Sequence, residues 1–110
     1  MAHGEYPSSD ILSNYVNGLF LVAEEGNEVV GYIAGEELRG NVAMIWFFTT
    51  NPRGIGTKLL AEFEKLCRKN AIKYILLYAP TFNEKTLVFY RTTGYNEGLK
   101  MTEFNKILPD

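Results

Sequence analysis

The stretch Asn51-Pro52-Arg53-Gly54-Ile55-Gly56-Thr57-Lys58-Leu59-Leu60 sets two glycines one residue apart, between an apolar run and a segment of helical periodicity. The chemistry open to such a stretch is anion binding. A helix N-terminus carries N–H groups without intrahelical acceptors and a partial positive charge. Glycine lets the backbone approach phosphate oxygens and reach positive φ. Arg53 and Lys58 flank the turn, and no Asp or Glu occurs between Asn51 and Ala61. That is the reverse of the acidic bias that complements a helix dipole. Two cations beside a positive helix end repel it unless an anion lies between them. A plain strand-to-helix turn with solvated Arg and Lys accommodates the same glycines, since short glycine motifs match by chance. Leu59 stands where the dinucleotide fingerprint needs its third glycine, and the glycine spacing is too short for an ATP-binding loop.

Other reactive side chains are few. Glu36 and Glu37 end a strand-like segment, as solvated hairpin residues or as proton acceptors. Cys67 falls on the apolar stripe of a helix, where a thiol packs as a small hydrophobe. His3 is the single histidine, so no second one exists for a metal site or a triad, and no metal is expected. Lys65, Arg68, Lys69 and Lys73 read as a solvated basic face.

The elements that must position these groups follow from periodicity. Residues 8–16 have helical spacing, closed by Asn17-Gly18. Leu19 to Glu25 and Glu28 to Leu38 form a hairpin about Gly26-Asn27, with Gly31 inside the second strand. Arg39-Gly40-Asn41 turns the chain into Val42 to Phe48, whose continuous apolarity predicts burial on both faces, with Trp46 and Phe47 pointing to opposite sides. From Thr57 to about Asn70, Leu59, Leu60, Phe63, Leu66 and Cys67 make one buried stripe. Ile72 to Tyr78 is a strand ended by Pro80, and a short helix runs from a cap at Asn83 to Gly94. Strand-like pieces at Tyr95 to Leu99 and Thr102 to Leu108 close the chain. A meander followed by a strand-helix-strand crossover predicts an α/β (α+β) fold: a mixed, mostly antiparallel central sheet with helices on both faces.

At 110 residues, 46% apolar and 22% charged, the chain has the size and composition of one folded domain, residues 1–110. A formal charge of −2 gives a nucleic acid partner no overall electrostatic support. No apolar run is long enough to span a bilayer, and the first ten residues lack the pattern of a secretory signal. One cysteine excludes an internal disulfide and fits a cytoplasmic setting.

Taken with Asn83, Phe89-Tyr90 and Gly94-Tyr95 of the segment "NEKTLVFYRTTGY", the run "NPRGIGTKLL" resembles the GNAT superfamily of acetyl-CoA-dependent N-acetyltransferases. The preceding "VAEEGNEVVGYIAG" is similar to that family's second and third strands, so the resemblance covers Leu19 to the C-terminus. The family's loop pattern is Gln/Arg-x-x-Gly-x-Gly/Ala. Asn51 stands at its first position, a departure that Arg53 would have to compensate.

The resemblance implies a GNAT-like acyl-CoA N-acyltransferase fold, with acetyl-CoA as co-substrate and a primary amine of a small molecule or protein as acceptor. Backbone N–H groups around Arg53, Gly54, Ile55, Gly56, Thr57 and Lys58 would hold the pyrophosphate of coenzyme A. The strand ending near Phe48 and Thr49 would pair with the pantetheine arm. Asn83 would bond the pantetheine or cap its helix. Tyr90 matches the tyrosine that protonates the leaving thiolate in many members, although a core tyrosine would look the same. Glu36 and Glu37 are the nearest candidates for the base, with a water chain as the alternative. Family members generally begin with a further strand and about two helices, whereas ~18 residues precede Leu19, too few at normal element lengths. That predicts a short form whose sheet edge is covered in a homodimer. The competing reading is a non-catalytic acyl-CoA-binding or regulatory module; a nucleotide-binding protein rests on the glycines alone.

Overall fold

The computed structural model describes residues 19–50 and 55–110. The expected helix at 8–16, together with His3, Asn51, Arg53 and Gly54, lies outside them. The chain divides into two compact units, Met1–Tyr78 and Ala79–Asp110.

In the first unit the elements are β1 (Leu19–Glu25), β2 (Glu28–Leu38), β3 (Val42–Thr50), α1 (Ile55–Lys69) and β4 (Tyr74–Leu76). The sheet order is β1-β2-β3-β4. The first two pairings are antiparallel and β3–β4 is parallel. This is the mixed, mostly antiparallel sheet that the meander and crossover predict. Both hairpin turns use left-handed residues, Gly26 at φ 64° in the first, Gly40 at 80° and Asn41 at 63° in the second.

α1 packs on β1, β2 and β3. Its stripe of Ile55, Gly56, Leu59, Leu60, Phe63 and Cys67 is buried. It meets Leu19, Leu21, Ile33 and Ile45, each at most 6% exposed. Fully burying an aliphatic or aromatic side chain of this size stabilises by about 1.5–3 kcal/mol, so this layer is the core. Cys67 is 2% exposed. Burial, then the nearby charges of Glu64 and Glu37, outweigh Arg68 and push its thiol up to about 11. It is a packing residue, as its place on the stripe implies.

Of the three strands expected after α1, one holds in part and two fail. The predicted strand Ile72 to Tyr78 shrinks to the three residues of β4, because β3 offers it a partner only from Val42 to Met44. Residues 95–108 join no ladder. Leu99, Phe104 and Ile107 are about nine-tenths exposed there. Strand propensity describes a chain able to sit on a half-buried surface, and a strand exists only where an edge pairs with it.

α1 ends with Ile72 N–H donating to the Cys67 carbonyl at 2.9 Å and Ala71 N–H to the Arg68 carbonyl at 3.1 Å. This hydrogen-bonded stop places Ala71 at φ 60°, a position where glycine is the usual residue. Ala71 is exposed, so nothing but backbone strain is at stake. Ala71→Gly is expected to raise the unfolding free energy by roughly 0.5–1 kcal/mol, because relief of left-handed strain exceeds the added entropy of the unfolded chain. Urea denaturation monitored by circular dichroism checks this; an unchanged or lower midpoint would count against it.

Candidate active site

The site begins with an irregularity in β3. Ala34 pairs with Phe47, yet Gly35 pairs with Ile45, so Trp46 is an extra residue, a β-bulge. Before it, Met44 lies opposite Glu36 and Ile45 opposite Gly35; after it, Phe47 lies opposite Ala34 and Phe48 opposite Ile33. Gly35 and Ile33 belong to the face that α1 covers. The bulge therefore resets the alternation and turns Phe48 toward α1. Trp46 and Phe47 both turn to the other face, where they are 52% and 55% exposed. The expected burial on both faces holds for Ala43, Met44 and Ile45 and fails from Trp46 onward, and the expectation that the two rings point to opposite sides is corrected.

Two glycines of β2 permit this geometry. A Cβ on Gly35 would come within 2.7 Å of the Met44 carbonyl and 2.8 Å of Phe63 Cζ, so its absence lets the Phe63 ring lie against the strand at the bulge. A Cβ on Gly31 would meet the Thr49 carbonyl and Thr50 Cγ2 at 2.9 Å. That close approach answers the reason for a glycine inside a strand.

The bulge also marks where β3 and β4 part. Their parallel pairing covers Val42–Met44 with Tyr74–Leu76 and goes no further. From Ile45 to Thr50, β3 continues as a strand on β2. Among the described residues, no strand pairs with that stretch on its β4 side. Its backbone groups are a ready template for an extended amide-bearing chain. Thr49 is exposed and Phe48 half-buried.

Just past β3, α1 opens at Ile55, two residues earlier than periodicity predicts. Gly56 is thus in the first helical turn and buried. What it lends is the absence of a side chain, not a positive φ. Thr57 and Lys58 are exposed. The first turn holds no acidic residue, so its N–H groups and dipole favour an anion.

Glu36 and Glu37 fall on opposite faces. Glu37 lies opposite Ala43, and its charge reaches Cys67 on the α1 side. Glu36 shares the far face with Trp46, whose indole Nε1–H donates to Glu36 Oε1 at 2.8 Å. Sequence patterning gives no signal for this pair, because strict alternation does not put the indole and the carboxylate in register across a bulge.

The second unit holds the remaining sequence candidates and α2 (Glu84–Thr92). Asn83 caps α2, its Oδ1 accepting from the Thr86 N–H at 3.2 Å, the second of its two expected roles. Tyr90 is half-buried. Its ring meets Phe89 edge-on at 5.2 Å and Tyr95 at 5.7 Å. Gly94, at φ 97°, reverses the chain so that Tyr95 N–H donates to the Tyr90 carbonyl at 2.9 Å, which brings the Tyr95 ring onto Tyr90. Burial pushes the Tyr90 phenol up from its ordinary value, which already lies well above neutral pH. Among the described residues, no cluster of His, Cys, Asp or Glu could hold a metal, and no helix is long and apolar enough to cross a membrane.

Residues 2–95 match the acetyltransferase (GNAT) family. The chain belongs to that family. No match was found among curated proteins. Among solved structures, the fold is similar to an aminoglycoside acetyltransferase, meta-AAC0020, from an uncultured soil metagenomic sample, in complex with trehalose. The TM-score is 0.73 at 22% identity, over 99% of this chain and 80% of that one. Ard1 from Thermoplasma volcanium gives 0.72 at 26%, over 82% and 63%. A protein from Bacillus anthracis str. Ames, assigned as a streptothricin acetyltransferase and solved with acetyl coenzyme A, gives 0.64 at 23%, over 68% and 46%. This chain thus spans less than half of that last protein. The GNAT fold has its sheet here, with the strand divergence and a helix N-terminus next to it.

The bulge gives a direct test. Gly35→Ala is expected to cost about 1–3 kcal/mol, because both the Met44 carbonyl and the Phe63 ring would have to shift. A thermal melt of the variant checks this, and an unchanged transition would show that β2 and β3 do not approach so closely.

Proposed function

We propose that this protein transfers an acetyl group from acetyl-CoA to a primary amine of a small molecule. The observation that carries the reading is the release of β3 from β4 beyond Met44, next to a helix start without acidic residues. An extended pantetheine arm has amides to pair with Ile45 to Thr50, and the pyrophosphate suits the N–H groups of the first helical turn, Ile55 to Lys58. Membership of the GNAT family and a similar fold solved with acetyl coenzyme A support the same co-substrate.

The reaction forms a bond from the amine nitrogen to the acetyl carbon and breaks the carbon–sulfur bond. The amine gives up a proton and the departing thiolate takes one up. A water chain carries the first to solvent, and Glu36, on the face that Trp46 and Phe47 share, is left to hold the amine substrate. Tyr90, protonated at neutral pH, is the donor for the second. Backbone N–H groups of β3 beyond its pairing with β4 would stabilise negative charge on the carbonyl oxygen.

Acetyl-CoA is expected to bind by calorimetry and to release free thiol faster when amines are added. Tyr90→Phe is expected to lower kcat by about 10²–10⁴-fold, the usual worth of general acid catalysis, with the KM for acetyl-CoA little changed. Binding without amine-dependent thiol release would favour a non-catalytic acyl-CoA-binding module, and no binding at all would overturn both readings.

The same reading takes the protein as a cytoplasmic homodimer. β1 is an outer strand of the described sheet, and outer strands invite pairing. Light scattering is expected to give twice the chain mass of 12.5 kDa; a monomeric mass would refute it.

A further inference from the structure

Resting on the acetyl-transfer reading, the structure points to the kind of amine accepted. We propose that Glu36 and Trp46 form a recognition pair for a cationic aliphatic amine, a diamine or polyamine. Three carboxylates belong to β2, at Glu28, Glu36 and Glu37. Glu28 lies at the turn with β1 and Glu37 on the α1 face, so Glu36 is the strand's charge on the face with the exposed rings. The indole N–H holds Glu36 Oε1 at 2.8 Å. A carboxylate has about four acceptor positions, so an oriented Glu36 retains capacity for an ammonium group.

The surroundings favour a cation on a methylene chain. Trp46, Phe47 and Tyr32 are 52%, 55% and 36% exposed on this face. Phe20 adds a ring 6.2 Å from Tyr32. Aromatic faces attract ammonium groups, Trp most strongly, and their apolar surface accepts the carbon chain between two nitrogens. A second nitrogen also resolves a chemical conflict. The reacting amine must be neutral to attack, whereas recognition by a carboxylate needs a charge. A diamine supplies one nitrogen for each. Trp46 then acts in two ways, as the π surface and as the donor that fixes where the carboxylate points.

Trp46 is the only tryptophan in the chain, so its emission reports directly on this surface without any turnover. In the full-length protein, 1,4-diaminobutane is expected to change Trp46 fluorescence saturably, while the neutral 1,4-butanediol does not. Glu36→Gln is expected to weaken diamine binding by about tenfold or more, the size of one charge-assisted hydrogen bond. Trp46→Phe keeps a ring but loses the N–H. Calorimetry on that variant is expected to show weaker diamine binding and unchanged acetyl-CoA binding. No response to the diamine, an equal response to the diol, or wild-type diamine binding by Glu36→Gln would each overturn the proposal. Calorimetry with acetyl-CoA is scored separately: its failure beside an intact diamine response removes the acetyl-transfer reading and leaves the recognition pair standing.

Discussion

The interaction on which the rest of the site depends is the pairing of β2 with β3 across one extra residue. Trp46 has no partner in that ladder. A bulged strand bends and twists more strongly than a regular one, and the parallel pairing of β3 with β4 ends two residues earlier, at Met44. One insertion thus separates two strands that would otherwise run side by side, and it leaves a polar backbone edge beside an apolar core. Gly35 makes this possible, because a side chain there would collide with both the Met44 carbonyl and Phe63. The core helix and the bulge are therefore mutually dependent: the ring that anchors α1 occupies the space the glycine leaves.

The same insertion sorts the side chains. Upstream of Trp46, alternation gives Ile45 to the core. Downstream, Phe48 and not Phe47 turns toward α1, since it lies opposite Ile33. Trp46 and Phe47 thus share the far face with Glu36, a grouping of aromatic surface and charge suited to an amine. Glu37, one residue on, is committed to the opposite side, where its charge acts on the buried Cys67 thiol. The two glutamates look interchangeable in the sequence and are separated by the thickness of a sheet.

Around Tyr90 the controlling constraint is the left-handed Gly94. It folds the chain back so that Tyr95 packs on Tyr90, whose phenol burial pushes up from its ordinary value. The Gly-aromatic ending that helped to identify the family therefore has a local physical purpose. Asn83 likewise has a structural duty, holding the first turn of α2.

The sequence by itself determined the elements whose signals are local. Alternating strands, left-handed turn residues at Gly26 and Gly40, the apolar stripe from Leu59 to Cys67, the Asn83 cap and the acid-free start of α1 all depend on neighbours a few residues away. Their order was enough to identify the GNAT family. Only the tertiary structure decided what depends on partners distant in the chain. The bulge exists because of how β3 registers on β2, so an alternation rule could not place Trp46 and Phe47 on one side. β4 is short because β3 withdraws from it, and residues 95–108 stay out of any ladder although their composition suits strands. The indole–carboxylate bond joins residues ten apart across that irregular register. Local propensity sets what a segment can become, and the register between segments sets which side chains meet.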